Sequence, residues 1–314
     1  MPWRIGARPM KLTVEFPSVI HRDGPDEIAR LATAIEEIGY DEIDIFDHVI
    51  NGYPIEGRAP APYPANMPLL EALVTLGYIA AVTEHVGLGT EVLVLPQRQP
   101  VLAAKQFSTI DTLSGGRLRV GVGVGWQESE YDALGMDFHT RGRAMDEAIE
   151  LMRTCWRDET IEFAGAHYRA ESMAMEPKPP QGGGIPLWIG GGSKAALRRA
   201  GRVGDGWMAS GMLGSQGANA IAEVKREAEQ AGRDPDALGF QCQLATPPRA
   251  GDPSTREFWA RTAEVAATAA AAQEAGFGWA AVNVTGVFVA GARSIDAMIE
   301  QLGLLHDAIR SETA

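Results

Sequence analysis

Residues 86–125 read VGLGTEVLVLPQRQPVLAAKQFSTIDTLSGGRLRVGVGVG. Val86 to Leu95 is a run of leucine and β-branched residues closed by Pro96. Val101 to Leu113 carries a helical pattern that stops at Ser114-Gly115-Gly116, and Arg117 to Gly125 is a second β run. Two short strands joined by a helix-length segment predict a parallel βαβ unit. The same beat extends in both directions. Toward the N-terminus lie a strand at Leu12 to Phe16, a helix at Pro25 to Ile38 stopped by Gly39, a strand at Ile43 to His48 and a helix at Pro68 to Val82. Toward the C-terminus a helix is expected at Arg141 to Trp156. Strands then follow at Pro186–Ile189, Gly206–Ser210, Leu238–Ala245 and Trp279–Thr285. Helices follow them at Ser193–Val203, Ala218–Ala231, Arg256–Ala275 and Ser294–Arg310. The beat breaks only near 158–185, where a hairpin at Ile161 to Arg169 and a Pro/Gly-rich loop read as an insertion. Eight strand–helix pairs predict an α/β fold, a single (β/α)8 TIM barrel over 1–314, with that insertion after the fourth strand–helix region and a loose tail at 1–9. An open doubly wound sheet is the rival arrangement.

Composition narrows the function classes. The chain has 314 residues, 45% of them hydrophobic, and a formal net charge of −13. That charge opposes binding to nucleic acid or to anionic lipid. Cys155 and Cys242 can form no disulfide framework and read as small buried hydrophobes. Neither a signal peptide nor a run of 18 apolar residues is present, so a cytoplasmic protein is expected. Six histidines are scattered at 21, 48, 85, 139, 167 and 306, without metal-binding spacing. None of the five lysines ends a predicted strand, which removes the nucleophile of a Schiff-base aldolase. No Gly-x-Ser-x-Gly elbow exists. Cofactor chemistry is the class left standing, and no metal is expected.

The candidate residues cluster at predicted strand ends, where barrels place their chemistry. Asp47-His48 closes the second strand, and alternation puts His48 with Asp44 and Phe46 toward the barrel interior or mouth. A histidine merely satisfied by a carboxylate is the alternative. Glu91 interrupts an apolar third strand; it faces water or pairs with Arg98. Gly121, Gly123 and Gly125 share one face of the fourth strand. They leave room either for a flat ring or for bulky neighbours in the barrel. Ile189-Gly190-Gly191-Gly192-Ser193 runs from a strand into a helix, with Ser193 as a good N-cap. Free N–H groups and Lys194 there suit a phosphate better than a plain tight turn does.

Taken together, these segments resemble the luciferase-like monooxygenase family. The resemblance rests on Leu88 to Pro96 with Gln97-Arg98-Gln99-Pro100, and on Leu113 to Trp126. It rests further on Trp188 to Ser193 followed by Ala196 to Ala200 and by Gly204-Asp205-Gly206-Trp207. It covers about residues 10–305 and is greatest for the coenzyme F420 branch. The resemblance implies a barrel with insertions and hydride transfer between reduced coenzyme F420 and a small organic substrate. FMN-dependent monooxygenation, fed by a partner reductase, is the alternative, and a catalytically silent flavin-binding protein is a third. A homodimer is expected. By this resemblance Asp47 and His48 lie by the deazaflavin ring, with His48 catalytic. Thr90, Glu91 and Val92 support the ring through a cis Glu91–Val92 bond, Gly125 and Trp126 flank it, and Gly190, Gly191, Gly192 and Ser193 take the phosphate. Where sugar-phosphate dehydrogenases of this branch carry an acidic Glu after the fourth-strand glycines, this chain has Trp126. That departure points to a less polar substrate.

Overall fold

A computed structural model describes residues 9–17, 24–58, 63–182, 184–245 and 257–314. Most of the expected tail, and His21, lie outside them. Eight strands form a closed barrel, β1 (Lys11–Glu15), β2 (Glu42–Ile45), β3 (Gly87–Val94), β4 (Leu118–Gly123), β7 (Leu187–Gly190), β8 (Gly206–Ala209), β9 (Gly239–Gln243) and β10 (Trp279–Asn283). Their order around it is β1-β10-β9-β8-β7-β4-β3-β2. Helices alternate with them: α1 (Pro25–Ile38), α2 (Ala72–Val82), α3 (Pro100–Ser114), α4 (Glu128–Ala133), α5 (Arg141–Arg157), α6 (Lys194–Val203), α7 (Gly214–Gln230), α8 (Thr262–Glu274), α9 (Val284–Ala290) and α10 (Ile295–Thr313). This is the expected (β/α)8 architecture. The predicted insertion contains an antiparallel pair outside the barrel, β5 (Ile161–Ala164) with β6 (Arg169–Met173).

The chain divides into two compact units, residues 1–17, 33–43 and 188–314 in one and residues 18–32 and 44–187 in the other. In the first unit, β1, β10, β9, β8 and β7 pair in parallel. One row of partners runs across three strands, Trp188 beside Gly206 beside Gly239. The indole lies over the two glycines. A Cβ at 239 would sit 2.0 Å from Trp188 Cζ2, and one at 206 would sit 2.4 Å from the same ring. Trp188 also meets Trp279 edge to face at 5.6 Å. The last helix is tied back to the first strand, because Arg310 donates to Asp41 Oδ2 at 2.7 Å and Asp41 Oδ2 accepts from Leu12 N at 2.8 Å.

In the second unit, β3 and β4 pair in parallel with a register shift between Thr90 and Leu93. The Glu91–Val92 bond within that shift is cis, as the resemblance implies. Thr90 Oγ1 donates to Gly121 O at 2.7 Å across the same pair. A Cβ at Gly123 would lie 2.7 Å from Val92 Cγ2, and one at Gly125 would lie 2.6 Å from Val94 Cγ1. These two glycines therefore accommodate bulky neighbours from β3; the space beside them is filled by valine, which overturns the flat-ring reading at 123 and 125. Before β4, Arg117 donates to the carbonyls of Ala80, Thr83, Val86 and Ser114 and to Thr83 Oγ1. One guanidinium thus satisfies the C-terminal end of α2 and fixes the entrances of β3 and β4.

Several boundaries differ from expectation. β2 ends at Ile45, so Phe46 to His48 leave the ladder. α2 begins at Ala72 instead of Pro68, where the Glu71 carboxylate accepts from Val74 N at 2.7 Å. α8 begins at Thr262, and Arg256 lies outside the described residues. β10 stops at Asn283, whose side chain accepts from Gly286 N at 2.6 Å and starts α9. The β-branched Val284 and Thr285 read as strand, but the asparagine cap decided the local outcome. Cys155 and Cys242 are buried free thiols, as expected.

Trp188 leaves no room at its glycine partners. Gly239→Ala should therefore destabilise the protein by about 1–3 kcal/mol through overpacking. Urea denaturation should show a lower midpoint with an unchanged slope.

Candidate active site

In the second unit β2 ends at Ile45 and the chain continues outside the strand through Asp47 and His48. The Asp47 carboxylate accepts from Val94 N at 3.0 Å and from Arg98 at 2.7 Å, which binds it to the end of β3. Arg98 also pairs with Glu71 at 2.8 Å. Arg98, one of the two alternatives read for Glu91, is thus engaged by Asp47 and Glu71. Burial pushes the Asp47 carboxyl up, and Arg98 and the Val94 N–H pull it down. Glu91 is buried.

His48 follows directly, with only 6% of its side chain exposed. Its Nδ1 lies 2.9 Å from Glu130 Oε2. The second Glu130 oxygen accepts from Val49 N at 2.7 Å and from Ile50 N at 3.2 Å. An ionised carboxylate only accepts, so Nδ1 carries the proton and Nε2 presents its lone pair. The Tyr63 hydroxyl donates to that Nε2. Burial would raise the Glu130 carboxyl, but the hydrogen bond and charge of His48 and the Val49 N–H outweigh it and hold the group below the usual carboxylate range. Gln127 completes the anchorage, donating to Ile50 O at 2.8 Å.

Trp126 borders this group. Its ring meets His48 edge to face at 5.7 Å and Tyr63 at 6.1 Å. Tyr63 meets His48 at 5.3 Å and Phe46 at 6.5 Å. Gly125, at φ +65°, makes the turn from β4 that delivers Trp126. Of the residues expected from the sequence, Trp126 therefore meets the His48 imidazole, with Asp47 and Gly125 next to them in the chain. Thr90, Glu91 and Val92 form the adjoining irregular stretch of β3; Thr90 is buried, and Val92 rests on Gly123. Glu130 and Tyr63 were not anticipated. Glu130 stood in a short acidic helical start, and its sequence signal was only the clustering of Glu128 and Glu130 in a first turn.

In the first unit, Gly190 to Ser193 carries β7 into α6. Gly191 adopts φ +111°, a conformation that L side chains rarely take. A Cβ at Gly192 would lie 2.6 Å from Met212 Sδ. Ser193 Oγ accepts from Ala196 N at 3.2 Å and caps α6. The N–H groups at the start of a helix lack intrahelical partners, and those of Ser193, Lys194 and Ala195 are in that position. Gly191 to Lys194 are exposed. The segment is a glycine cradle in front of a positive helix end, which fits a phosphate.

The same unit holds a polar cluster at the C-terminal ends of β1, β9 and β10. Glu15 is buried and accepts from Gln243 Nε2 at 3.0 Å and from Asn283 Nδ2 at 2.7 Å. Ser210 donates to Gln243 Oε1 at 3.0 Å. Among the described residues no group of three or more His, Cys, Asp or Glu is placed to hold a metal ion. No described helix is long and apolar enough to cross a membrane.

The family model for luciferase-like monooxygenases matches residues 2–282, and the chain belongs to that family. An uncharacterized protein of Mycobacterium tuberculosis is 36% identical over 211 residues, covering 65% of this chain and 72% of that one. An F420-dependent glucose-6-phosphate dehydrogenase of Nocardia farcinica is 30% identical over 260 residues, covering 79% of this chain and 74% of that one. In fold, the chain is similar to a coenzyme F420-dependent tetrahydromethanopterin reductase from Methanopyrus kandleri. That likeness has a TM-score of 0.74 at 17% identity and covers 98% of this chain and 100% of the reductase.

Glu130 supplies a pH test. A carboxyl held low in the folded state adds stability above its unfolded value, and the addition is lost as pH falls through the folded value. Glu130→Gln abolishes this component. The gap in urea midpoint between wild type and Glu130→Gln should therefore shrink as pH is lowered below the ordinary value of 4.5.

Proposed function

We propose that the protein is a coenzyme F420-dependent oxidoreductase that moves a hydride between the reduced deazaflavin and a small, uncharged organic substrate. The observation that carries this reading is His48, buried at the end of β2 between Glu130 and Tyr63 and bordered by Trp126. The F420-dependent relative supports the choice of cofactor. When bound, the cofactor supplies or takes up the hydride. The chain's own residues bind, orient and move protons. Ser193, Lys194 and Ala195 offer N–H groups, and Lys194 a cation, to the cofactor phosphate.

His48 manages the proton that accompanies hydride transfer. An imidazole changes charge near neutral pH, and ionised Glu130 is placed to compensate the positive form. The substrate side is read from the neighbours of His48. Phe46, Tyr63 and Trp126 present ring surfaces, while Arg98 is consumed by Asp47 and Glu71. Trp126 also stands where the sugar-phosphate enzymes of the branch carry an acid. A phosphorylated sugar therefore fits less well than an uncharged, partly apolar compound. A homodimer and a separate reductase that supplies reduced cofactor belong to the same proposal.

Equilibrium titration of the purified protein with coenzyme F420 and, separately, with FMN tests the cofactor. Tighter binding of coenzyme F420 is expected; binding of FMN alone would turn the reading toward a flavin monooxygenase. Lys194→Glu should weaken coenzyme F420 binding by 1.4 kcal/mol for each tenfold loss, with the melting temperature retained, because an acidic residue suits a helix N-terminus. His48→Asn should bind cofactor normally and lose ~10²- to 10⁴-fold in turnover. Turnover within a few-fold of wild type would make His48 structural and leave a silent binding protein or a different acid.

A further inference from the structure

We propose that the first unit carries a second ligand site, for a flat aromatic carboxylate, at the N-terminal ends of β1, β9 and β10. The inference is independent of the oxidoreductase reading, because it uses neither His48 nor the glycine cradle before α6. Lys11, Gly239 and Trp279 are the first residues of these three strands, and Glu15, Gln243 and Asn283 are the last. The site therefore lies at the opposite end of this sheet from the buried polar cluster around Glu15. A cavity of about 380 Å³ opens there, and Ile221 and Lys225 of α7 line it from the helix side. Small-molecule sites begin at about 300 Å³, so the space suits one compact ligand.

The cavity is apolar between its charged groups, with Leu238, Phe240 and Trp279 along it. Gly278 helps to keep it open. Its N–H donates to Phe240 O at 3.0 Å and its carbonyl accepts from Lys11 N at 2.9 Å, so the residue sits in the ladder between β9 and β1. A glycine there weakens the sheet and often marks the close approach of another group. No neighbour in the protein demands it. A Cβ at 278 would meet no atom within 4 Å, in contrast to Gly239, whose missing Cβ makes room for Trp188. Nor is φ positive at 278, as it is at Gly276. A ligand lying against the backbone accounts for a glycine that neither packing nor dihedral angle requires.

Two lysines supply the charge. Lys11 Nζ lies 4.6 Å from the centroid of the Trp279 ring, and Lys225 Nζ lies 6.0 Å from that of Phe240. Each ammonium thus stands over an aromatic ring that lines the cavity. Among the described residues the one ion pair at this pocket joins Lys225 to Asp236 at 2.8 Å, and the Asp236 side chain is 82% exposed. One positive charge is left over, in a chain whose formal net charge is −13. A ligand with a single negative charge balances it, whereas a doubly charged phosphate ester would meet Asp236 unfavourably. The two rings and the bare backbone of Gly276 and Gly278 favour a planar apolar body. A carboxylate on one or two fused rings combines both properties.

Calorimetric titration with 2-naphthoate tests the proposal, with 2-naphthamide as the neutral counterpart. Wild type should show one saturable site per chain for the acid and bind the amide about tenfold more weakly or worse, because the amide leaves the ammonium unpaired. Lys11→Met should weaken naphthoate binding by a similar factor, and Asp236→Asn should tighten it several-fold. Gly278→Leu should abolish it by filling the cavity; if that variant does not fold, the Lys11 and Asp236 variants decide. The indole N–H signal of Trp279 in the NMR spectrum, assigned from Trp279→Phe, should move as naphthoate is added. Absence of saturable binding at millimolar naphthoate overturns the site. Equal affinity for acid and amide overturns the charge argument and the ligand class with it. Naphthoate binding unchanged in Lys11→Met, with an unmoved Trp279 signal, places the probe elsewhere on the protein and also overturns the site.

Discussion

Valine set against glycine between β3 and β4 is the constraint on which the candidate site depends. Val92 and Val94 occupy the places that side chains would take at Gly123 and Gly125. The two strands approach closely only because those positions carry no Cβ. The consequences run outward from that contact. Val94 is held so that its N–H meets the Asp47 carboxylate, beyond the end of β2 and next to His48. Gly125 is free to turn at φ +65°, which delivers Trp126 and then the short helix bearing Glu130. A larger residue at 123 or 125 would separate the strands and displace both walls of the imidazole site together.

Buried charge is handled conservatively in the second unit. Asp44 pairs with Arg119 at 3.1 Å, Asp47 with Arg98, and Glu130 with His48. Each carboxylate is matched by a donor, as the cost of isolated buried charge requires. Of these pairs only Glu130–His48 contains an imidazole, and its ring is bordered by those of Tyr63 and Trp126. The other two are supports.

Much of the site was legible before the fold was known, though not always for the right reason. Alternation along β2 placed His48 on an inward face, yet the strand ends at Ile45 and the alternation does not reach it. What positions His48 is Glu130, 82 residues later in the chain. The glycine string was read as room for a ring or for bulky neighbours, and the neighbours are what β3 provides at two of the three positions. Glu91 reads from the sequence as facing water or pairing with Arg98, and the structure brings Arg98 to Asp47 and Glu71. Long-range ion pairs of this sort leave no periodic trace, because nothing in local spacing says which of several carboxylates a flexible guanidinium will reach.

The sequence by itself determined the strand–helix alternation, the closing of α3 by Ser114-Gly115-Gly116 and the capped glycine turn at Gly190 to Ser193. These features depend on local propensity, on the φ freedom of glycine and on side-chain capping within a few residues. Only the tertiary structure decided that Tyr63, Trp126 and Glu130 surround His48, and that Trp188 lies over Gly206 and Gly239. Those contacts join segments far apart in the chain. Their energy depends on which strands become neighbours and in what register, and that is set by packing of the closed barrel as a whole.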